Sequence, residues 1–149
     1  MNKYNTILID ADDTLLDFHK AEKEGIKKVF KQNNVEFNEY IFKTYKKINS
    51  FLWDEFEKGK IKKDEIISNR FKILFQELNI KADDELFKEQ YQEALGEGFY
   101  LIDGAREICE ELFKKCDLYC VTNGLKKTQE SRFKGADLNK YFKGIFVSE

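Results

Sequence analysis

The chain has 149 residues, 42% of them apolar and 36% charged, which excludes an extended disordered protein and fits one ordinary domain or a small core with an inserted subdomain. Its 26 basic and 28 acidic residues are interleaved to a net charge of −2, so no basic face offers itself to nucleic acid. No run of 18 apolar residues exists and the N-terminus lacks the apolar run of a signal peptide, so no membrane partner and a cytoplasmic location are expected.

Tyr4 to Ile9 ends in a continuously apolar, β-branched run and reads as a buried strand, with a loop over Asp10 to Asp17 behind it. From residue 18 to about Gly98 the apolar spacing is helical. Ile26, Val29 and Phe30 recur at three- and four-residue steps. So do Ile41, Tyr45, Ile48, Leu52 and Phe56, then Ile67, Phe71, Leu74, Phe75 and Leu78, then Phe87, Tyr91 and Leu95. These stripes read as bundle core, and 14 Phe, seven Tyr and one Trp give it volume. Gly96 and Gly98 end the last helix of the block. A further amphipathic helix is expected over Gly104 to Lys115, a strand over Leu118 to Val121, a helix over Lys127 to Lys134 and a strand at Ile145-Phe146-Val147.

Strands alternating with helices predict an α/β fold with a parallel sheet and right-handed crossovers. The block 18–98 is too long for one crossover and is expected to be an inserted helical subdomain, with the sheet core at 1–17 and 99–149. Two residue types offer little chemistry. Cys109, Cys116 and Cys120 include no Cys-x-x-Cys pair and read as reduced, mostly buried thiols. The single histidine, His19, is expected at the surface or a hinge, and no Gly-x-Ser-x-Gly elbow is present.

The chemistry gathers at the strand ends, where open parallel sheets bind ligands. Asp10, Asp12 and Asp13 put three carboxylates within four positions, a repulsive cluster that suits a hard cation such as Mg²⁺. Asp10 can attack phosphorus from the end of the first strand. Asp12, two residues on, can protonate the leaving oxygen and later activate water. Thr122 and Asn123, at the end of the second strand, can hold phosphate oxygens together with loop N–H groups. Simpler roles compete. A helix cap accounts for one carboxylate but not three. An EF-hand start fails because Leu15 stands where Gly is needed and Ala21 where Glu is needed. A hairpin at Asn123-Gly124 suits its flanking strand and helix poorly.

Asp10-Ala11-Asp12-Asp13-Thr14-Leu15 resembles the first motif, Asp-x-Asp-x-Thr, of the haloacid dehalogenase superfamily of phosphohydrolases. Val121-Thr122-Asn123-Gly124 resembles its second motif, and the insertion between them resembles the helical cap of the group whose cap follows motif one. Phe18, Ile48-Asn49-Ser50-Phe51-Leu52-Trp53, Arg70-Phe71, Gln129-Glu130-Ser131-Arg132 and the run Tyr141 to Glu149 are similar to the pyrimidine 5′-nucleotidase branch.

The resemblance implies a Rossmann-like core and a Mg²⁺-dependent phosphatase for small phosphorylated metabolites, nucleotides foremost. Asp10 would be the nucleophile and a metal ligand. Asp12 would be the general acid/base, with its backbone carbonyl on the metal. Thr122 would bind phosphate with Asn123 and Thr14 beside it, and Phe18, Trp53 and Arg70 would select the substrate. An acid at Asp12 separates phosphatases from the true dehalogenases of the superfamily. Phosphoglycolate phosphatase and β-phosphoglucomutase types are the alternatives within it. Members continue past the third strand to a Lys and an acidic motif, whereas this sequence ends at Glu149. The resemblance therefore implies a shortened chain with a partial, three-stranded core in which Tyr4 to Ile9 becomes an exposed apolar edge, and a catalytically incomplete fragment acting only in binding is the alternative to the enzyme. Asp103 stands where members tend to have Pro, a mild departure.

Overall fold

The computed structural model describes residues 3–148. Its elements, in chain order, are β1 (Thr6–Asp10), α1 (Phe18–Gln32), α2 (Glu39–Glu57), α3 (Lys63–Leu78), α4 (Asp84–Gly96), α5 (Ala105–Phe113), β2 (Asp117–Thr122), α6 (Lys126–Gly135), a 3₁₀ turn (Asn139–Tyr141) and β3 (Phe142–Val147). They divide into two compact units, one holding the residues up to Glu24 and from Glu93 onward, the other Gly25–Gln92. The second unit lies wholly inside the helical block 18–98, and the flanking turns at 18–24 and 93–98 go with the sheet.

In the first unit the three strands are parallel, in the order β1-β2-β3. Ile9 pairs with Cys120 and Cys120 with Ile145, so these side chains share one face. Beneath that face pack Leu118, Cys109 of α5 and Phe133 of α6, together with Leu15, Leu16 and Leu138. The opposite face carries Leu8, Val121 and Phe146, all exposed. The run Tyr4 to Ile9, which by itself reads as a buried strand, is the edge strand that the shortened core implies, with Leu8 64% exposed. A continuously apolar run does not say how many of its faces are covered. β3 also starts earlier than expected, at Phe142, where a register shift between Leu118 and Tyr119 admits an extra residue.

The segment that leaves β1 and the segment that returns from the helices are joined by main-chain hydrogen bonds. Ile102 N–H donates to the Leu15 carbonyl at 2.9 Å and Asp17 N–H to the Tyr100 carbonyl at 2.8 Å.

The second unit is built on aromatic contacts. Phe87 meets Phe75 at 4.9 Å and Phe30 at 5.1 Å between ring centroids, both edge-on, and Phe71 stacks on Tyr45 at 5.5 Å. Asn38 caps α2 by accepting the Ile41 N–H at 2.9 Å. Asn79 closes α3 in the left-handed region, φ 53°. The stripes point inward as expected with one slip on α3: Ile66, not Ile67, is fully buried. Ile66, Arg70 and Leu74 recur at four-residue steps, so a charged residue occupies the middle of an inward row.

Candidate active site

The loop after β1 is a closed turn tied to the core. The Ala11 carbonyl accepts the N–H groups of Leu15 (2.9 Å) and Leu16 (3.0 Å), and the Leu16 carbonyl accepts that of Asp13 (2.8 Å). Buried Ala11, Leu15 and Leu16 anchor it, and Asp13 makes the bend at φ 59°, a left-handed conformation that Asp tolerates. This geometry holds Asp10 and Asp12 above the strand end. Asp10 Oδ1 accepts the Ala11 N–H at 2.9 Å. Asp10 pairs in register with Val121, so Thr122 stands one residue on along the neighbouring strand.

Thr122 is buried, and its Oγ1 accepts from Gly124 N–H at 3.2 Å and Gln129 Nε2 at 2.8 Å. Asn123 is exposed; its Oδ1 accepts from the Ser148 hydroxyl. Thr14 is exposed on the loop.

The Asp12 carboxylate is held from below by two residues of α6. Gln129 Nε2 donates to its Oδ2 at 2.9 Å, and Arg132 Nη1 donates to its Oδ1 in a close ion pair. Gln129 and Arg132 are each 1% exposed. Neither residue stood out from periodicity. The available signal was their three-residue spacing, which puts both on one helix face, and their place in the branch-like run 129–132.

Asp10 sits in a different electrostatic setting. Burial raises its pKa, the Ala11 N–H opposes that, and the negative charges of Asp12 and Asp13 push it up further. A divalent cation beside Asp10 would reverse that repulsion. The donor set suits one: the Asp10 carboxylate offers its second oxygen, and among the described residues none of the loop's backbone hydrogen bonds ends on the Asp12 carbonyl. Among the described residues no three His, Cys, Asp or Glu side chains form a metal cage, so such an ion would complete its shell with water or substrate oxygen, as Mg²⁺ commonly does.

The remaining predicted residues lie apart in kind. Phe18 opens α1, half-buried, with the Arg132 guanidinium 6.0 Å from its ring centroid. Trp53 and Arg70 belong to the helical unit. Trp53 is half-buried and edge-on to Phe56 at 5.6 Å. Arg70 is 3% exposed and lies 4.6 Å from the Tyr91 ring centroid. His19 is exposed, 3.4 Å from Asp13. Cys109 and Cys120 are buried, Cys116 half-buried, and all are free. No helix among the described residues is long and apolar enough to cross a membrane.

The site thus sets two acids at one strand end beside a buried threonine at the end of the next. The chain belongs to the haloacid dehalogenase-like (HAD) hydrolases, whose family model matches residues 4–149. YfnB of Bacillus subtilis (strain 168), named for the same hydrolase family, is 42% identical over 149 residues, spanning 100% of this chain and 63% of that protein. Pyrimidine 5′-nucleotidase PynA of Streptococcus pneumoniae is 32% identical over 147 residues, spanning 98% of this chain and 62% of that protein. The chain thus covers less than two thirds of either relative. The orthorhombic crystal structure of YfnB bound to magnesium matches with a TM-score of 0.93 at 41% identity, over 99% of this chain and 66% of that one. L-2-haloacid dehalogenase of Xanthobacter autotrophicus matches at 0.68 with 16% identity, over 97% of this chain and 56% of that one, which shows a shared fold alone.

Proposed function

We propose that this sequence carries the nucleophile, acid/base and phosphate-binding residues of a Mg²⁺-dependent phosphatase for small phosphate monoesters, with nucleoside 5′-monophosphates as the substrate class. The observation that supports it is the juxtaposition of Asp10 and Thr122 at the ends of neighbouring parallel strands, with Asp12 two residues beyond the nucleophile. An Asp10 carboxylate oxygen attacks phosphorus, and the bond to the ester oxygen breaks as Asp12 gives that oxygen its proton. Water then attacks the aspartyl phosphate, Asp12 takes the proton, and free Asp10 and inorganic phosphate result. Thr122 and Asn123 hold the phosphate oxygens throughout, with Thr14 beside them. Mg²⁺, held by the Asp10 carboxylate and the Asp12 carbonyl, would neutralise phosphate charge. Magnesium in the YfnB crystal supports that choice of ion, and the identity to PynA supports the nucleotide class.

The 18–98 segment is read as the cap, with Phe18 and Trp53 as substrate-selecting residues; Arg70, expected beside them, is 3% exposed against the Tyr91 ring and is read as packing. The protein as its native source makes it, assayed with Mg²⁺ against a panel of phosphate esters, tests the proposal. Hydrolysis led by nucleoside 5′-monophosphates and abolished in Asp10→Asn is expected. An unchanged rate in Asp10→Asn overturns it. Preference for phosphoglycolate or a sugar phosphate would move the protein to another phosphatase or mutase type of the family.

A further inference from the structure

Burying a guanidinium is costly unless its N–H groups are matched by charge and hydrogen bonds. Arg132 is 1% exposed, and its head is aimed at the strand ends. Nε donates to the Gly98 carbonyl at 2.8 Å, and Nη1 donates to Asp12 Oδ1 and, at 2.9 Å, to Gln129 Oε1. The Gly98 carbonyl anchors the base of the arginine, so Nη1 meets Asp12 from a fixed direction, while Nη2 has no hydrogen-bond partner among the described residues.

Gln129 completes the arrangement. Its Nε2 spends one hydrogen on Asp12 Oδ2 and the other on Thr122 Oγ1, while its Oε1 accepts from Arg132. A flipped amide would set its oxygen against the Asp12 carboxylate and its NH₂ against the guanidinium, so only one orientation is allowed. The consequence reaches Thr122. With Gly124 N–H and Gln129 Nε2 both donating to Oγ1, its lone pairs are filled and its own hydrogen is left to point outward. A phosphate oxygen is the acceptor that suits it.

We propose that Gln129 and Arg132 are positioning residues that fix the direction of Asp12 and, through the single Gln129 amide, tie it to the phosphate-binding hydroxyl of Thr122. The inference rests on the phosphatase reading. Arg132 aims the acid/base; Gln129 aims both the acid/base and the phosphate donor. Neither touches the reacting atoms.

Leaving-group chemistry separates positioning from mere folding. A nucleoside 5′-monophosphate expels an alkoxide that needs a proton, whereas p-nitrophenyl phosphate expels a stable phenolate that does not. Placed acid catalysis is worth 10²–10⁴-fold, and kcat/KM reports the steps only up to expulsion of the leaving group, so Arg132→Met is expected to cut kcat/KM on the nucleotide by about 10²-fold and on p-nitrophenyl phosphate by only about 3-fold. Arg132→Lys, which keeps the charge but loses the Nε anchor, falls between. Gln129→Met, a nearly isosteric neutral change, should show the same selectivity with a raised KM for both esters, because it also releases Thr122. Equal losses of kcat/KM on the two esters in both Arg132→Met and Gln129→Met overturn the positioning role. Failure of the unaltered protein to hydrolyse either ester would instead sink the phosphatase reading on which it stands.

Discussion

Two buried arginines divide the molecule into two kinds of interior. Arg132, in the sheet unit, is held by a carboxylate, an amide and a backbone carbonyl, and of its guanidinium nitrogens Nη2 has no hydrogen-bond partner among the described residues. Arg70, in the helical unit, is nearly as buried, yet its Nε and Nη2 have no hydrogen-bond partner among the described residues. Its guanidinium lies on the Tyr91 face at 4.6 Å, with the Phe71 ring at 5.8 Å. One cation is buried to aim a neighbour. The other is accommodated by ring quadrupoles, a weaker and less directional attraction. Burial of the same side chain therefore has opposite meanings in the two units: in the first its loss should be read in turnover, in the second in packing.

The largest expected effect falls on the aromatic bed. Phe71→Ala removes a ring that contacts Tyr45, Phe75, Phe87 and Tyr91, and should cost about 3–5 kcal/mol of stability in urea unfolding. Its effect on the p-nitrophenyl to nucleotide rate ratio should be nil. Gly124→Ala works the other way. An added Cβ would meet Gln129 Nε2 at 2.7 Å, which displaces the amide that joins Asp12 to Thr122. Freeing those hydrogen bonds is worth about 1–3 kcal/mol in kcat/KM on the nucleotide, whereas the unfolding midpoint should move little. A shift in stability without a shift in rate would blur the contrast between the two interiors.

Smaller still is Asp10→Asn measured without metal. Burial and the repulsion of Asp12 and Asp13 raise the Asp10 pKa above its unfolded value, so the folded state holds that proton more tightly. The stabilisation this gives is complete below the unfolded pKa and is lost as pH rises through the folded one. At pH 7 Asp10→Asn should therefore raise Tm slightly, with the gain shrinking toward pH 4 (values set by the ordinary carboxylate range). The smallest effect belongs to Arg70→Met, an apolar side chain of similar length. Stability within about 1 kcal/mol of the unaltered protein is expected, because Arg70 has aromatic rings against its guanidinium and no carboxylate partner among the described residues. A loss of several kcal/mol would mean that Arg70 is held as firmly as Arg132.

Much of this arrangement was legible in the sequence, for reasons that also mark where legibility stops. Periodicity found the helices because each buries one face, and the strand–helix alternation gave the parallel sheet with β1 beside β2. That adjacency brings Asp10 near Thr122. Local pattern could not say that Ile66 faces inward with Arg70, since Ile66 and Ile67 are equally apolar and only packing chooses. The open edge at β1 followed only from the resemblance and not from local pattern, because coverage of a strand depends on remote chain. Gln129 and Arg132 were hidden for a third reason. A polar pair on a helix reads as solvated surface until tertiary structure supplies Asp12, which is 117 and 120 positions away in sequence.

Cys120 lies on β2 opposite Ile9, one residue before the register partner of Asp10. Burial, aided by the charges of Asp10 and Asp12, pushes its thiol up to about 12. Ionised sulfur is what peroxide and alkylating agents attack, and at neutral pH Cys120 supplies almost none. Iodoacetamide should therefore label half-buried Cys116 in the folded protein and leave Cys120 untouched. Burial first, and then the carboxylates that would carry the hydrolysis, keep the sulfur behind them in its unreactive thiol form.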